Sequence, residues 1–362
     1  MKKIKTTLIA AALAATTVAP AQQAQRFTAT KANEYGIAYT LPVTAVDITI
    51  EAEFTREEPG EFYKYALKYL NVDDPITEPS LSASVKSVTI STHGVPDPDK
   101  RYLVTLKSSQ APYIIIGEDN IPLSINTEKV YETESPSLPE ARSAEPTPLQ
   151  SEAARQVITQ EMLQSHSSAK RAELAAEQIY ALRQSRTDLI TGQAEQMPPD
   201  GAAMKIVMDN IEAQEQALMA MFVGTKSTYT EVRTFTVVPD GNINRQIIAR
   251  ISATGGIVDA NDLSGFPVYL SIKELERVGM PVNDKGETLP FPKGGVAYVI
   301  PGRAQVTVTA SGKELARKDV ELAQSGVVYG MAPSNFTDKK APVYLLFDPA
   351  TGAAAEVGPA LK

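Results

Sequence analysis

The 362-residue chain contains no cysteine, no tryptophan and only two histidines. Without cysteine it cannot form disulfides, thiolate nucleophiles, or cysteine-ligated zinc and iron–sulfur sites. The lipid anchor of a bacterial lipoprotein also requires a cysteine, so that form of attachment is excluded. We therefore expect folding to depend on the apolar core alone. The 43% of apolar residues suffice for about two domains.

Positive charge is in the minority, with 35 Lys and Arg against 43 Asp and Glu and a formal charge of −8. Nucleic acids and anionic membranes bind clusters of Lys and Arg, so this balance argues against both as partners. An acidic surface also keeps an exported protein soluble.

The N-terminus has the pattern of a secretory signal peptide. Lys2, Lys3 and Lys5 precede a short apolar run at 8–15, and Ala19-Pro20-Ala21 follows as a cleavage site. We predict a signal peptide at 1–21 in a Gram-negative type of bacterium, cut after Ala21 or, as the alternative, after Ala24. The apolar run is too short to span a bilayer. We therefore expect a periplasmic or extracellular protein with no membrane span in its mature chain.

The first part of the mature chain, 22–130, is predicted to be β-rich with one short helix. Residues 46–54 alternate between apolar and polar side chains, which is typical of a half-buried strand. Apolar residues recur at helical spacing over 62–70. Further strands are predicted at 84–90, 102–107 and 113–116, and a rigid turn at 94–99 separates the first two.

The middle of the chain is predicted to be a linker followed by helices. Residues 131–150 contain four prolines and four glutamates without apolar periodicity, so we expect an extended linker. The helical segment spans 151–224. A first helix is predicted at 151–163, followed by an antiparallel pair whose members end at Gly192 and Gly224.

Residues 225–362 return to a period of two and form a second β-rich region. Ser311-Gly312 predicts a hairpin, and a second turn is predicted at 348–352 after an apolar strand at 343–347. The predicted fold class is α+β, with two β-rich regions, sandwich or partly open barrel-like, around a helical hairpin segment.

No motif in the sequence predicts catalysis or a cofactor. Ser167 and Lys170 match the S-x-x-K pattern of penicillin-binding enzymes, but the K-T-G partner is absent, and Ser167 suits a helix N-cap. His93 and His166 lie far apart, and no G-x-S-x-G nucleophile is present. We assign no catalytic residue and no cofactor.

Two oxygen-rich stretches raise the question of calcium. Asp97 and Asp99 share one loop, and Asp259, Asn261 and Asp262 share another, which fails the EF-hand spacing. Turn formation by Asp and Asn explains both, so we predict no metal site.

Three tyrosines near the predicted short helix are candidates for contact with sugars. Tyr65 and Tyr69 have the spacing of core residues, which leaves Tyr63 as the candidate for the surface.

Several strings resemble one known family. These are 62–70 (FYKYALKYL), 94–98 (GVPDP), and 176–180 (AEQIY) with Arg183 and Arg186. They are similar to DUF4831, a family of exported proteins of unknown function in Bacteroides-type anaerobes. The resemblance implies export and a shared fold, and it brings no known activity. Because Arg186 lies on the apolar stripe of its helix, we expect it to be a buried structural residue.

The sequence favours a non-enzymatic binding or scaffolding protein of the cell envelope, whose partner is an envelope protein or a glycan. Arg183, Arg186, Asp97, Asp99 and Tyr63 are the candidate structural or interaction residues. The alternative is a carboxylate-dependent hydrolase of polysaccharide or cell-wall material, which a concave pocket lined by two acids and aromatic residues would favour. Calcium-stabilised adhesion is a third hypothesis.

Overall fold

A computed structural model describes residues 36–104, 113–133, 136–338 and 340–360. With 45% strand and 23% helix, it confirms the predicted α+β class. The predicted signal peptide at 1–21 and the predicted strand residues 105–107 lie outside the described residues.

The strands, numbered in chain order, form three sheets. Their bounds are β1 Ile37–Glu58, β2 Ser80–Val104, β3 Ile114–Ile116, β4 Pro122–Ile125, β5 Thr225–Val237, β6 Ile243–Ser252, β7 Gly256–Asp259, β8 Phe266–Glu276, β9 Val296–Ala310, β10 Lys313–Met331, β11 Val343–Phe347 and β12 Ala354–Pro359. Sheet A has the order β2-β1-β5, sheet B the order β12-β11-β4-β3, and sheet C the order β10-β9-β8-β6-β7. Paired strands within each sheet are antiparallel.

Sheets A and C pack face to face around the largest apolar core. The predicted alternation on β1 is confirmed, because Val46, Ile48, Ile50, Ala52 and Phe54 all point into this core. Inward side chains of β6, β8, β9 and β10 meet them from sheet C. Burial of one face of each sheet is what holds the sandwich together.

Strands from before and after the helical segment share sheets. In sheet A, β1 pairs with β5 over thirteen residues, and in sheet B, β4 pairs with β11. The sheets therefore tie the two ends of the chain together around the helices. Cross-strand pairing between distant segments leaves no local signal in a sequence.

The predicted turn at 94–99 is a bulge inside one long strand. Thr40 pairs with Arg101 and Pro42 with Pro96, so extra residues of β2 loop out opposite β1. Asp97 satisfies this loop locally, since its Oδ1 accepts the Asp99 amide at 3.0 Å. Residues 94–99 include turn formers as predicted, but they do not end the strand. β1 is long enough to pair with β2 both before and after this bulge.

The helices are α1 Ala66–Leu70, α2 Glu152–Gln156, α3 Gln160–Gln164, α4 Ser168–Thr191, α5 Gly201–Val223 and α6 Pro333–Thr337. The single helix predicted at 151–163 is broken into α2 and α3, because Ser151 and Thr159 each begin a helix as an N-cap. The predicted helical pair is present as α4 and α5, and Gly192 ends α4 at a φ of 72°.

The predicted linker, 131–150, lies against the protein. Its described part contains a short 3₁₀ helix at 148–150, and the main chains of Arg142 and Thr230 exchange two hydrogen bonds of 3.1 and 2.9 Å. Prolines on both sides of Arg142 lack the N–H that a longer ladder requires.

Candidate functional site

The candidate site lies where sheet B separates from sheet C. β12 begins beside β9, with Val299 and Ala353 forming a parallel bridge and the Val299 amide donating to Gly352 O at 2.8 Å. β9 belongs to sheet C and β12 to sheet B, and residues of both strands line a cleft beside this bridge.

This opening, which we call the Tyr131 cleft, has a volume of about 420 Å³. Such a volume is typical of small-ligand sites. Tyr131, the first residue of the predicted linker, lines one wall with a side chain that is 41% exposed. The residues that line the cleft are Tyr131, Glu276, Val278, Pro301, Arg303, Glu321, Asp348, Ala353, Ala354 and Ala355.

Three charged residues form a row across sheet C at the floor of the cleft. Arg303 on β9 is the direct cross-strand partner of Glu276 on β8 and of Glu321 on β10. Direct partners point to the same face of a sheet, so the side chains of Glu276, Arg303 and Glu321 share one face. Arg303 also approaches Asp319, with its Nη2 3.7 Å from Oδ2.

Asp348 is the third carboxylate of the cleft and is held rigidly by the turn that it begins. Its Oδ1 accepts the Ala350 amide at 3.0 Å, and its Oδ2 accepts the Thr351 hydroxyl at 2.6 Å. Gly352 closes the turn at a φ of 71°, where its Cα packs close to Pro42. The turn predicted at 348–352 is therefore present, and it fixes Asp348 at the rim.

A second cavity of about 380 Å³ adjoins the Tyr131 cleft and shares Tyr131 and Asp348 with it. It lies over the edge of β2, beside β10. Its other lining residues are Ser91, Thr92, Glu132, Thr133, Lys318 and Ala350. Lys318 has a structural contact, because its Nζ donates to Ile90 O at 3.2 Å. This hydrogen bond joins β10 at the edge of sheet C to β2 at the edge of sheet A.

Next to this cavity, the outer face of sheet A carries an Asp–His pair. His93 Nδ1 lies 2.5 Å from Asp47 Oδ2, while the Thr236 hydroxyl donates to Asp47 Oδ1 at 2.6 Å. A carboxylate held in this way orients the imidazole. The geometry is that of a positioned histidine, although no hydrogen bond joins it to Ser91, its neighbour on the same face.

Further along the same face, Glu51 accepts hydrogen bonds from Lys86 and Ser87, each at 2.8 Å. These donors, Lys86 first, hold the pKa of Glu51 below its usual range. Both oxygens of Glu51 belong to this cross-strand network, which joins β1 to β2.

A third cavity, of about 560 Å³, lies between α3 and α4 and is broadly open. Gln178 lines it, and the buried Oε1 of this side chain has no hydrogen-bond partner. It lacks the aromatic wall and the mixed charges of the Tyr131 cleft. In the part of the chain that the structure describes, no three His, Asp or Glu side chains are grouped as metal ligands.

Comparison with known protein families shows to which family the chain belongs. The profile of one family, described as "Domain of unknown function (DUF4831)", matches residues 35–355. The chain belongs to this family. The DUF4831 match covers the three sheets and the helical hairpin up to the start of β12. Among curated proteins and among solved structures, no match to the chain was found. No helix within the described ranges has the length and apolarity needed to cross a membrane.

The two arginines predicted as structural or interaction residues lie together on α4. Arg183 Nε donates to Glu215 on α5 at 2.6 Å, and Arg186 lies 4.0 Å from the same carboxylate. The expectation that Arg186 is buried is wrong, because its side chain is 44% exposed. Beyond Ile179, Leu189 is the one described α4 residue that is buried, so this part of the helix has little covering Arg186.

The other residues singled out from the sequence lie apart from the cleft. Asp97 pairs with Lys100 at 3.2 Å within the β2 bulge, and Asp99 donates its amide to Asp97. Tyr63 is half-buried in a single 3₁₀ turn before α1. Ser167 is the N-cap of α4, as the alternative to catalysis predicted. His166 is exposed.

Sequence reasoning missed the cleft. In the sequence, Tyr131 is the first residue of a predicted linker and Asp348 is a turn residue. No pattern in the neighbouring residues connects either one with Glu276, Arg303 or Glu321. Their proximity follows from the register of β8, β9 and β10 and from the bridge at Val299, which a single sequence does not specify.

Proposed function

We propose that this DUF4831 protein is exported and that it binds a partner molecule of the cell envelope in the Tyr131 cleft without converting it chemically. The observation that carries the proposal is the composition of this one concave site. An exposed tyrosine ring, two acids flanking an arginine, and a rigid aspartate converge on a volume of about 420 Å³. Ligand sites commonly bring a few positioned polar groups together on a concave surface.

A carboxylate-dependent hydrolase is the second candidate, because the cleft has the acids and the aromatic ring that such an enzyme requires. Two interstrand spacings put the backbones of Glu276 and Glu321 about 10 Å apart on one face of sheet C. However, the strand register places Arg303 on β9 between them, so a cationic residue and not an open gap separates the two acids along the sheet. The arrangement supports binding better than hydrolysis.

The test is to measure binding of oligosaccharide and peptide panels to the purified protein by calorimetry, together with a search for hydrolysis products. We expect at least one class of ligand to bind unchanged, with affinity about tenfold weaker for Tyr131→Ala and for Glu321→Gln. Tyr113→Ala and Glu195→Gln are matched controls, because both residues are exposed and outside the cleft.

Binding that is equally strong in all four variants would place the site elsewhere. Release of products that is lost with Glu276→Gln or Glu321→Gln would replace the proposal with the hydrolase.

Export is the part of the proposal that rests on the leader pattern at 1–21. Cell fractionation followed by N-terminal sequencing should find the mature chain outside the cytoplasm, beginning at Gln22. Replacing Ala19 and Ala21 by lysine should leave the longer precursor, because signal peptidase requires small residues there. A cytoplasmic protein that retains Met1 would contradict export.

A further inference from the structure

One side of β12 is an open strand edge that faces the Tyr131 cleft. β12 is the terminal strand of sheet B, and β11 pairs with one of its sides. On the other side, β12 meets β9 at its start, through the bridge from Val299 to Ala353 and the hydrogen bond from Val299 N to Gly352 O. From Ala354 onward, no strand of the described residues pairs with the main chain on this side. An open edge of this kind is a template for an added strand.

The side chains at this edge leave the backbone accessible. Three consecutive alanines, Ala353, Ala354 and Ala355, line the cleft, so a second main chain can approach without displacing a large side chain. A strand laid in the opening would continue sheet B on the side of β12 that β11 does not occupy.

The charges of the cleft favour a cation. Glu276, Glu321 and Asp348 line it against one cation, Arg303, which also has Asp319 at 3.7 Å. A Lys or Arg side chain entering from the β12 edge would meet three carboxylates and could stack its stem on the Tyr131 ring. Charge complementarity of this kind sets the orientation and the register of a bound segment.

We propose that the ligand of the Tyr131 cleft is an extended polypeptide segment that pairs with the open edge of β12 and places a Lys or Arg side chain among Glu276, Glu321 and Asp348. This inference rests on the proposed binding function and names its partner class. The main-chain hydrogen bonds supply affinity, and the cleft selects the cation.

The experiment uses the purified protein and a panel of hexapeptides that are acetylated at the N-terminus. In each peptide, valine alternates with either lysine or arginine. We expect a dissociation constant below about 1 mM at low salt. Replacing lysine by acetyl-lysine should weaken binding about tenfold, and N-methylation of alternate amides should weaken it similarly because paired strands need those donors. Spermidine carries the charge without a peptide backbone and should bind much more weakly.

Protein variants locate the site. Glu276→Gln and Glu321→Gln should each weaken binding of the lysine peptide. Neither should change any binding of the acetyl-lysine peptide, and Glu195→Gln is the control. Asp348 is left intact because its oxygens hold the 348–352 turn. Hydrogen exchange should show new protection in 354–358 when peptide is bound.

The outcomes separate this inference from the broader proposal. If oligosaccharides bind in a Tyr131-dependent manner and no peptide binds at about 1 mM, the cleft is a binding site and the peptide inference is wrong. Peptide binding that is indifferent to N-methylation, or equalled by spermidine, would also overturn it. If neither class depends on the cleft residues, both proposals fail.

Discussion

The β sandwich and the helical hairpin use their apolar residues in opposite ways. Between sheets A and C, every second residue of β1 from Val46 to Phe54 is buried against an opposing sheet. In the hairpin, burial is concentrated at one end, in the α4 residues from Ala172 to Ile179 and the α5 residues from Ala217 to Phe222. At the other end Leu189 is buried, but Ile190 and Ile206 are exposed.

The difference shows that helical periodicity alone does not place a side chain in a core. The base of the hairpin packs on α1 and α2, but its outer half has only the partner helix to cover it. We therefore expect the sandwich to determine the global stability of the protein and the outer hairpin to contribute little to it.

The strongest test of this contrast compares two apolar truncations. Phe54→Ala should lower the free energy of unfolding by about 3–5 kcal/mol, because the ring is 1% exposed and stacks on Tyr229 at 5.1 Å. Ile206→Ala, at a residue that is 61% exposed, should change it by less than about 0.5 kcal/mol. Urea denaturation of both variants would measure the difference, and similar losses would contradict the contrast.

The second prediction concerns polar burial within the β region. Thr44 Oγ1 donates to Ala350 O and accepts the Ala323 amide, both at 3.0 Å, and so links three segments of the fold. Thr44→Val should lower the free energy of unfolding by about 2 kcal/mol, because it leaves a buried N–H and a buried carbonyl unpaired.

The control for Thr44 is Thr55→Val, whose hydroxyl meets Thr228 on an exposed face and whose loss should be nearly neutral. Thermal unfolding of the two valine variants would compare them. An equal shift would mean that water replaces the bonds of Thr44.

Much of this β region could be predicted from the sequence, and the hairpin pair as well. Alternation identified the inward face of β1, Ser311-Gly312 identified a hairpin, and Gly192 marked the end of α4. These are local signals, since the period and the turn chemistry are written in neighbouring residues. The break between α2 and α3 was missed because the capping of Thr159 competes with an otherwise continuous helical pattern.

The candidate site could not be predicted for the same physical reason. Glu276, Arg303 and Glu321 form a row only because of the register of three strands, and Tyr131 joins them from a segment that sequence composition marks as a linker. The prediction that Arg186 is buried failed because it assumed a covering surface that the outer hairpin lacks.

A smaller effect is expected for the ion pair that joins the two hairpin helices. Arg183 is 42% exposed and bonded to Glu215, so Arg183→Ala should lower stability by about 0.5–1 kcal/mol after solvent screening. Arg186→Ala, whose nearest contact with Glu215 is 4.0 Å, should be close to neutral. Hydrogen exchange in 201–215 should increase for the first variant only, and equal exchange would assign the pair no role.

The smallest effect is expected for the pH dependence of the Glu51 cluster in sheet A. Because the pKa of Glu51 is lowered in the folded protein, chiefly by the hydrogen bond from Lys86, the carboxylate stabilises the fold above its unfolded pKa of about 4.3. This contribution is lost as the pH falls through the lower, folded value. Lys86→Met should therefore reduce stability at pH 7, by less than about 1 kcal/mol, and have little effect well below pH 4.

Lys313→Met is the matched control for Lys86, because Lys313 is an exposed lysine at the β9–β10 hairpin. Urea midpoints of the two variants and the unmodified chain, measured at about pH 7 and about pH 3, give the comparison. If Lys86→Met is equally destabilising at both pH values, its effect comes from the packing of its aliphatic stem and not from the charge of Glu51. The sandwich would then owe nothing measurable to this ion pair, and its advantage over the outer hairpin would rest on apolar burial and on buried hydrogen bonds such as those of Thr44.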